Sequence, residues 1–241
     1  MPRLLVLNAN TTASVTDLVV RHAQDVLGPA FECVPATARF GARYISNEAA
    51  YAIAGHSALD ALAEAGAGFD GVLLACFGDP GLFALKEVSG VPVVGLAEGS
   101  MLEAARHGRY SIVTGGVLWK VMLERLALAL GARAPIASIR PITWTGDRIA
   151  ADPDGAIAFL AEEVRAAVRD DGAQAVVLGG AALAGLAARI APQVGVPVID
   201  SVHAGARVLR ERVTAGGPRG RGERGATPSI GLGESLERLL A

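Results

Sequence analysis

Cys76 is the residue on which chemistry can be centred. It follows the apolar run Gly71-Val-Leu-Leu-Ala75 and opens Cys76-Phe-Gly-Asp-Pro-Gly81, a Gly-rich turn with a helix expected from Leu82. A thiol where a buried strand ends is offered to the cleft that strand ends line. Backbone amides and a helix N-terminus there favour its thiolate. The same position also suits a small core residue, and the two readings stand side by side. Cys33, inside Phe31-Glu-Cys-Val-Pro35, reads as packing. A thiolate at Cys76 should therefore alkylate faster than Cys33. The two cysteines form neither a disulfide framework nor a metal site, and no Cys/His spacing supports zinc. His22 and His56 fall within helices as surface residues, while His107 precedes Gly108 at a helix end. Lys86 and Lys120 lack a context for Schiff-base chemistry. The run from Gly66 to Gly71 matches the dinucleotide-binding pattern but precedes a strand instead of following one. Gly179 to Gly185 lacks the Lys-Ser/Thr of a phosphate loop.

The elements that must position Cys76 alternate along the chain. Strands are expected at Leu4–Leu7, Phe31–Pro35, Gly71–Ala75 and Val91–Val94. Helices are expected from Asp17 to Leu27 and from Asn47 to Ala65, the second with Ala50, Ile53, Leu59 and Leu62 on one side. Asn8-Ala-Asn-Thr-Thr12 links the first strand to its helix, with Thr11 or Thr12 as the natural N-cap. The pattern restarts with strands at Tyr110–Thr114, Ile136–Ile142, Ala175–Leu178 and Val196–Ile199. Helices at Val117–Leu130 and Asp154–Arg169 lie among them. Such alternation implies an α/β protein with parallel sheets covered on both faces.

The halves match in detail. Gly71-Val-Leu-Leu-Ala-Cys-Phe-Gly-Asp-Pro-Gly-Leu82 aligns without a gap to Ala175-Val-Val-Leu-Gly-Gly-Ala-Ala-Leu-Ala-Gly-Leu186. Further on, Gly90-Val-Pro-Val-Val94 meets Gly195-Val-Pro-Val-Ile199. This repeat implies two pseudo-symmetric lobes facing each other, with one shared site beyond the strand ends. Their bounds are expected at 1–97 and 98–213, followed by a flexible Gly/Arg-rich linker at 214–228 and a helix within 229–241. The repeat also sets Glu98 opposite His203, both able to point at the cleft, and a histidine suits proton transfer at neutral pH. His203 could equally be a helix-start residue in solvent. Asp200 could orient a neighbour or cap the helix.

Asn8-Ala-Asn-Thr11, Ala75-Cys-Phe-Gly-Asp-Pro-Gly-Leu82 and Leu178-Gly-Gly180 together resemble the aspartate/glutamate racemase superfamily, in its hydantoin and allantoin racemase branch. The likeness spans roughly residues 1 to 212. It implies a cofactor-independent enzyme in which one cysteine from each lobe flanks a carbon acid, one removing a proton and the other returning one. It also implies that Asn8, Asn10, Thr11, Phe77, Thr114, Gly115, Gly180 and Ala181 line the substrate cleft, where donors stabilise the enolate. One position departs from the pattern. Cys76 aligns with Gly180, where the second cysteine would stand, so a symmetric two-thiol mechanism is not carried over.

Composition sets the outer bounds. The 241 residues are 51% hydrophobic, 19% charged and 5% aromatic, so the chain can bury a core built of Ala, Val, Leu and Ile. A net charge of −2 gives no field for nucleic acid or an anionic membrane. Apolar stretches are cut by charge or Gly before about 20 residues, and no leader pattern follows Met1. The expectation is a cytoplasmic, homo-oligomeric racemase or isomerase acting on a small carbon acid, with no metal, cofactor, nucleic-acid or membrane partner. A single-cysteine decarboxylase, a maleate-type isomerase or a non-catalytic binding homologue are the alternatives.

Overall fold

The computed structural model describes residues 1–131, 134–216 and 229–240. The expected linker lies outside them from residue 217 to residue 228. Two four-stranded parallel sheets form the frame. The first contains β1 (Arg3–Asn8), β2 (Glu32–Thr37), β3 (Gly71–Leu74) and β4 (Val93–Gly95), in the order β2-β1-β3-β4. The second contains β5 (Tyr110–Gly115), β6 (Ile136–Ile142), β7 (Ala175–Gly179) and β8 (Val198–Asp200), in the matching order β6-β5-β7-β8. The α/β reading and its two lobes are therefore the observed architecture. Leu4, Leu5, Val6 and Leu7 are buried in succession, because helices cover both faces of the sheet.

The helices are α1 (Ala13–Leu27), α2 (Glu48–Ala65), α3 (Leu82–Val88), α4 (Leu96–Ala104), α5 (Trp119–Ala129), α6 (Gly146–Ala151), α7 (Pro153–Asp171), α8 (Ala187–Ile190), α9 (Ser201–Thr214) and α10 (Glu234–Leu240). Local chemistry sets several ends. Asn47 caps α2 by accepting from Ala50 N at 2.9 Å, and Asp152 caps α7 ahead of Pro153. Thr12 stands at the N-cap of α1, but its hydroxyl makes no cap bond and instead donates to Arg43 O at 2.8 Å. Its role is to tie down the loop after β2. On α2 the expected face also needs correction. Ile53 is 48% exposed, whereas Ser57 and Asp60 turn inward. Asp60 holds Arg39 through two bonds of 2.8 and 3.0 Å, which makes an inward carboxylate tolerable.

The lobes are bound together by α4 and α9. Helix α4 follows β4 yet packs on β7 and β8, while α9 follows β8 yet packs on β3, β4 and α1. The expected boundary at 97/98 falls in the first turn of α4. The two helices meet at Gly99 and Gly205, where a Cβ on Gly99 would stand 2.6 Å from Gly205 Cα. Arg207 adds a bidentate bond to Glu103 at 2.7 and 3.0 Å. Gly99→Ala must push two backbones apart, so unfolding in urea should show a loss of about 1–3 kcal/mol. An unchanged midpoint would show that the crossing is not tight.

Candidate functional site

The carboxyl ends of both sheets open on a cavity of about 590 Å³ between the lobes. The turn after β3 brings in Cys76 and Phe77, and the matching turn after β7 brings in Gly180, Ala181, Ala182 and Leu183. The turns interlock. A Cβ on Gly179 would meet the Phe77 ring at 2.3 Å, and one on Gly78 would meet the Trp119 ring. Glycine at these two places lets aromatic rings of one lobe press against the backbone of the other.

Of the residues expected at the site, Asn10, Cys76, Phe77, Thr114, Gly115, Gly180 and Ala181 line this cavity. Asn8, Thr11 and His203 do not. Asn8 is wholly buried and shapes the loop. Its Nδ2 donates to Asn10 Oδ1 at 3.0 Å and Thr16 Oγ1 at 3.1 Å, while its Oδ1 accepts from Asn10 N at 3.1 Å. Asn10 Oδ1 also accepts from Thr12 N at 2.9 Å, so its Nδ2 is the atom left to face a ligand. Thr11 gives its N–H to Ala42 O at 3.1 Å. Thr114 Oγ1 donates to Gly179 O at 2.8 Å, which joins the neighbouring strands β5 and β7.

His203 lies in the first turn of α9, with its ring centroid 5.8 Å from that of His22 and its Nε2 buried without a partner among the described residues. Helix α9 leans on the first lobe and carries this ring away from the cavity. Glu98 is likewise turned from the cleft. Its Oε1 accepts from Lys86 Nζ and Arg212 Nη2, both at 2.8 Å. Asp200 caps α9, accepting from Val202 N and His203 N, and its other oxygen accepts from Gly185 N at 2.6 Å. The first lobe reaches the same end from the opposite direction. There the carboxylate is Asp79 on the turn, accepting from Ala97 N and Glu98 N at the start of α4, and a Cβ on the strand-end Gly95 would strike it.

Electrostatics correct the expected state of Cys76. The thiol is 8% exposed, and burial, seconded by the charge of Asp79, pushes it up to about 12. The resting residue is a thiol, not a thiolate. Helix α3 begins six residues downstream and does not offset the desolvation. Cys33 is pushed up to about 11 by burial, so neither cysteine is a reactive thiolate at rest. Asp79 is itself driven up to about 7 by burial, against the two amides that favour its charge. Deprotonating Cys76 is thus a step that a bound ligand must assist.

Several lining residues escaped sequence reasoning: Arg43, Tyr44, Ile45, Trp119, Ile142, Trp144 and Ile149. Arg43 and Tyr44 follow β2, and Trp144 follows β6, so the rule that ligands sit beyond strand ends pointed to both loops. Tyr44 OH stands 3.5 Å from where a Cβ on Gly115 would be, which lays the first lobe's loop across the second. Among the described residues, Cys76, Tyr44 and Arg43 are the titratable groups of the lining, and partial desolvation raises the Tyr44 phenol, whose residue stays largely exposed. No helix among the described residues is long and apolar enough to cross a membrane.

Known proteins bear on this geometry. A hydantoin racemase from Pseudomonas sp. (strain NS671) is 32% identical over 89% of this chain and 87% of its own length. A hydantoin racemase from Paenarthrobacter aurescens is 32% identical over 89% of this chain and 92% of its own. The crystal structure of an allantoin racemase from Pseudomonas fluorescens superposes with a TM-score of 0.86 at 31% identity, covering 90% of this chain and 93% of that one. The family model described as Asp/Glu/Hydantoin racemase matches residues 4–209. With a two-lobed cleft built around Cys76 and racemases as its relatives, this chain belongs to the Asp/Glu/hydantoin racemase family and is a racemase.

Proposed function

We propose that the protein racemises 5-monosubstituted hydantoins without a cofactor, moving the C5 proton through Cys76. The observation that carries this reading is the placement of one thiol in a 590 Å³ inter-lobe cavity, in a chain so similar to hydantoin racemases. Carbon C5 of a hydantoin lies beside a carbonyl, so removing its proton places charge on that oxygen. The amides of Phe77 and Ala181 make no hydrogen bond to the described residues, and with Asn10 Nδ2 and the Arg43 guanidinium they are among the donors open to that charge. Cys76 as thiolate takes the proton from one face, or as thiol returns one to it. The opposite face is bounded by Gly180, where a Cβ would meet nothing within 4 Å. Water entering that open space exchanges the second proton in place of the second thiol that the family pattern would supply.

Further features agree with this reading. Decarboxylation, cis–trans isomerisation and binding without turnover are not favoured, because the relatives at 31% and 32% identity are racemases. A mechanism that needs a free thiol fits a reducing, cytoplasmic setting, and both cysteines are free. A homo-oligomer is supported by the solvent-facing Val117, Leu118, Val121 and Leu128 on and before α5. The direct test follows optical rotation of each pure enantiomer of a hydantoin panel. Decay to zero from both enantiomers, at rates proportional to protein concentration, is the expected outcome. Rotation that stays constant across the panel would sink the proposal.

A further inference from the structure

The cavity has two chemically unlike walls, although the lobes that make it are pseudo-symmetric. The first-lobe wall carries Asn10, Thr12, Arg43 and Tyr44 around Cys76, among the apolar Val15, Ile45 and Phe77. The second-lobe wall carries Ile142, Trp144, Ile149 and Leu183 beside Gly180, and the Thr114 hydroxyl there is committed to Gly179 O. We infer that the second-lobe wall is the subsite for a bulky apolar, preferably aromatic, C5 substituent, with Trp144 as its specificity-determining residue. This inference rests on the hydantoin-racemase reading.

The ring of the substrate brings carbonyl and N–H groups, which need partners once they leave water, and the first-lobe wall holds the polar side chains. Tetrahedral C5 then sets the direction of the substituent. When its hydrogen faces Cys76, the substituent leans toward the second lobe, where Ile142, Trp144, Ile149 and Leu183 supply apolar side chains, while the opening at Gly180 stays with water. Trp144 is held ready there. Its ring stacks on Phe159 with centroids 5.3 Å apart and planes 8° apart, and Arg148 covers it at 3.9 Å. Ile142, Ile149 and Leu183 are each at least 93% buried around the same space, so a polar substituent would meet no partner among them. The ureido group of allantoin is such a substituent, and Ile142, Ile149 and Leu183 offer it no hydrogen bond.

The experiment measures kcat/KM for both enantiomers of 5-benzylhydantoin, 5-methylhydantoin and allantoin with the full chain. The benzyl compound should exceed the other two by at least about tenfold, the discrimination that an apolar pocket can supply. Trp144→Ala should lower kcat/KM for the benzyl compound about 10- to 100-fold and leave the methyl compound within about threefold, while Trp144→Phe keeps the benzyl preference. Ile142→Val, which keeps the branched shape and removes one methyl group, should erode the same preference if Trp144→Ala does not fold. Preference for allantoin, or equal losses for benzyl and methyl substrates in the variants, would overturn the subsite while leaving racemisation intact. If no compound is racemised, the hydantoin reading fails, and calorimetry decides the subsite alone. Binding of 5-benzylhydantoin weakened about tenfold in Trp144→Ala upholds it, and absence of binding removes it as well.

Discussion

Replacing Cys76 with alanine should lower kcat for hydantoin racemisation by about 10²- to 10⁴-fold, the range over which a positioned proton-transfer group acts. The effect should fall on kcat more than on KM, because the thiol engages C5 only as its proton moves. Stability should change little. Cys76 is a small side chain at the cavity edge, and its loss removes about 1 kcal/mol or less of packing. Far-ultraviolet spectra and thermal unfolding of the variant serve as the control. A variant that stays active would remove Cys76 from the mechanism. One that loses activity together with its melting transition would make it a core residue, the alternative that its place after β3 leaves open.

The second large effect is on pH. With the thiol pushed up to about 12, the thiolate is a minute fraction near neutrality and grows about tenfold per pH unit. In the direction where Cys76 is the base, kcat/KM should therefore rise close to a hundredfold from pH 6 to pH 8, after subtraction of the protein-free rate. The sign follows from burial, which opposes the charged form and delays its appearance to high pH. Asp79, which titrates at about 7, gains its charge in the middle of this window and holds the thiol up further. The slope in the wild type should flatten slightly there, and Asp79→Asn should straighten it. A flat profile from pH 6 to 8 would mean that the thiolate already exists at neutrality.

Much of this could be read in the residues, and the rest was hidden for identifiable reasons. The repeat of Gly71–Leu82 in Ala175–Leu186 foretold two similar lobes, and the two sheets do share one strand order. It also placed Cys76 against Gly180, and both line the cavity. Helix α4 was illegible, since Leu96 to Met101 is buried on every side and shows no amphipathic period. The same holds for the exchange of α4 and α9 between lobes. It depends on Gly99 and Gly205 allowing close approach, a tertiary fact with no local signal. His203 was misplaced because alignment gives a position along the chain but not the direction of a side chain on a helix. Asn8 was misjudged for a related reason. A polar residue at a strand end can serve a ligand or build the loop, and its bonds to Asn10 and Thr16 put it in the second role.

The central claim, that Cys76 and the open face at Gly180 together invert a carbon acid by proton exchange, is tested most directly in heavy water. One enantiomer of 5-benzylhydantoin is incubated with wild-type protein and with Cys76→Ala, and C5 is followed by proton NMR alongside chiral separation. Inverted product from the wild type should carry deuterium at C5 from its first appearance, because the proton arriving at the Gly180 face comes from solvent. Both inversion and exchange should fall to the protein-free rate in Cys76→Ala. Inverted product that keeps its original C5 hydrogen, or an undiminished rate in the variant, would contradict the account.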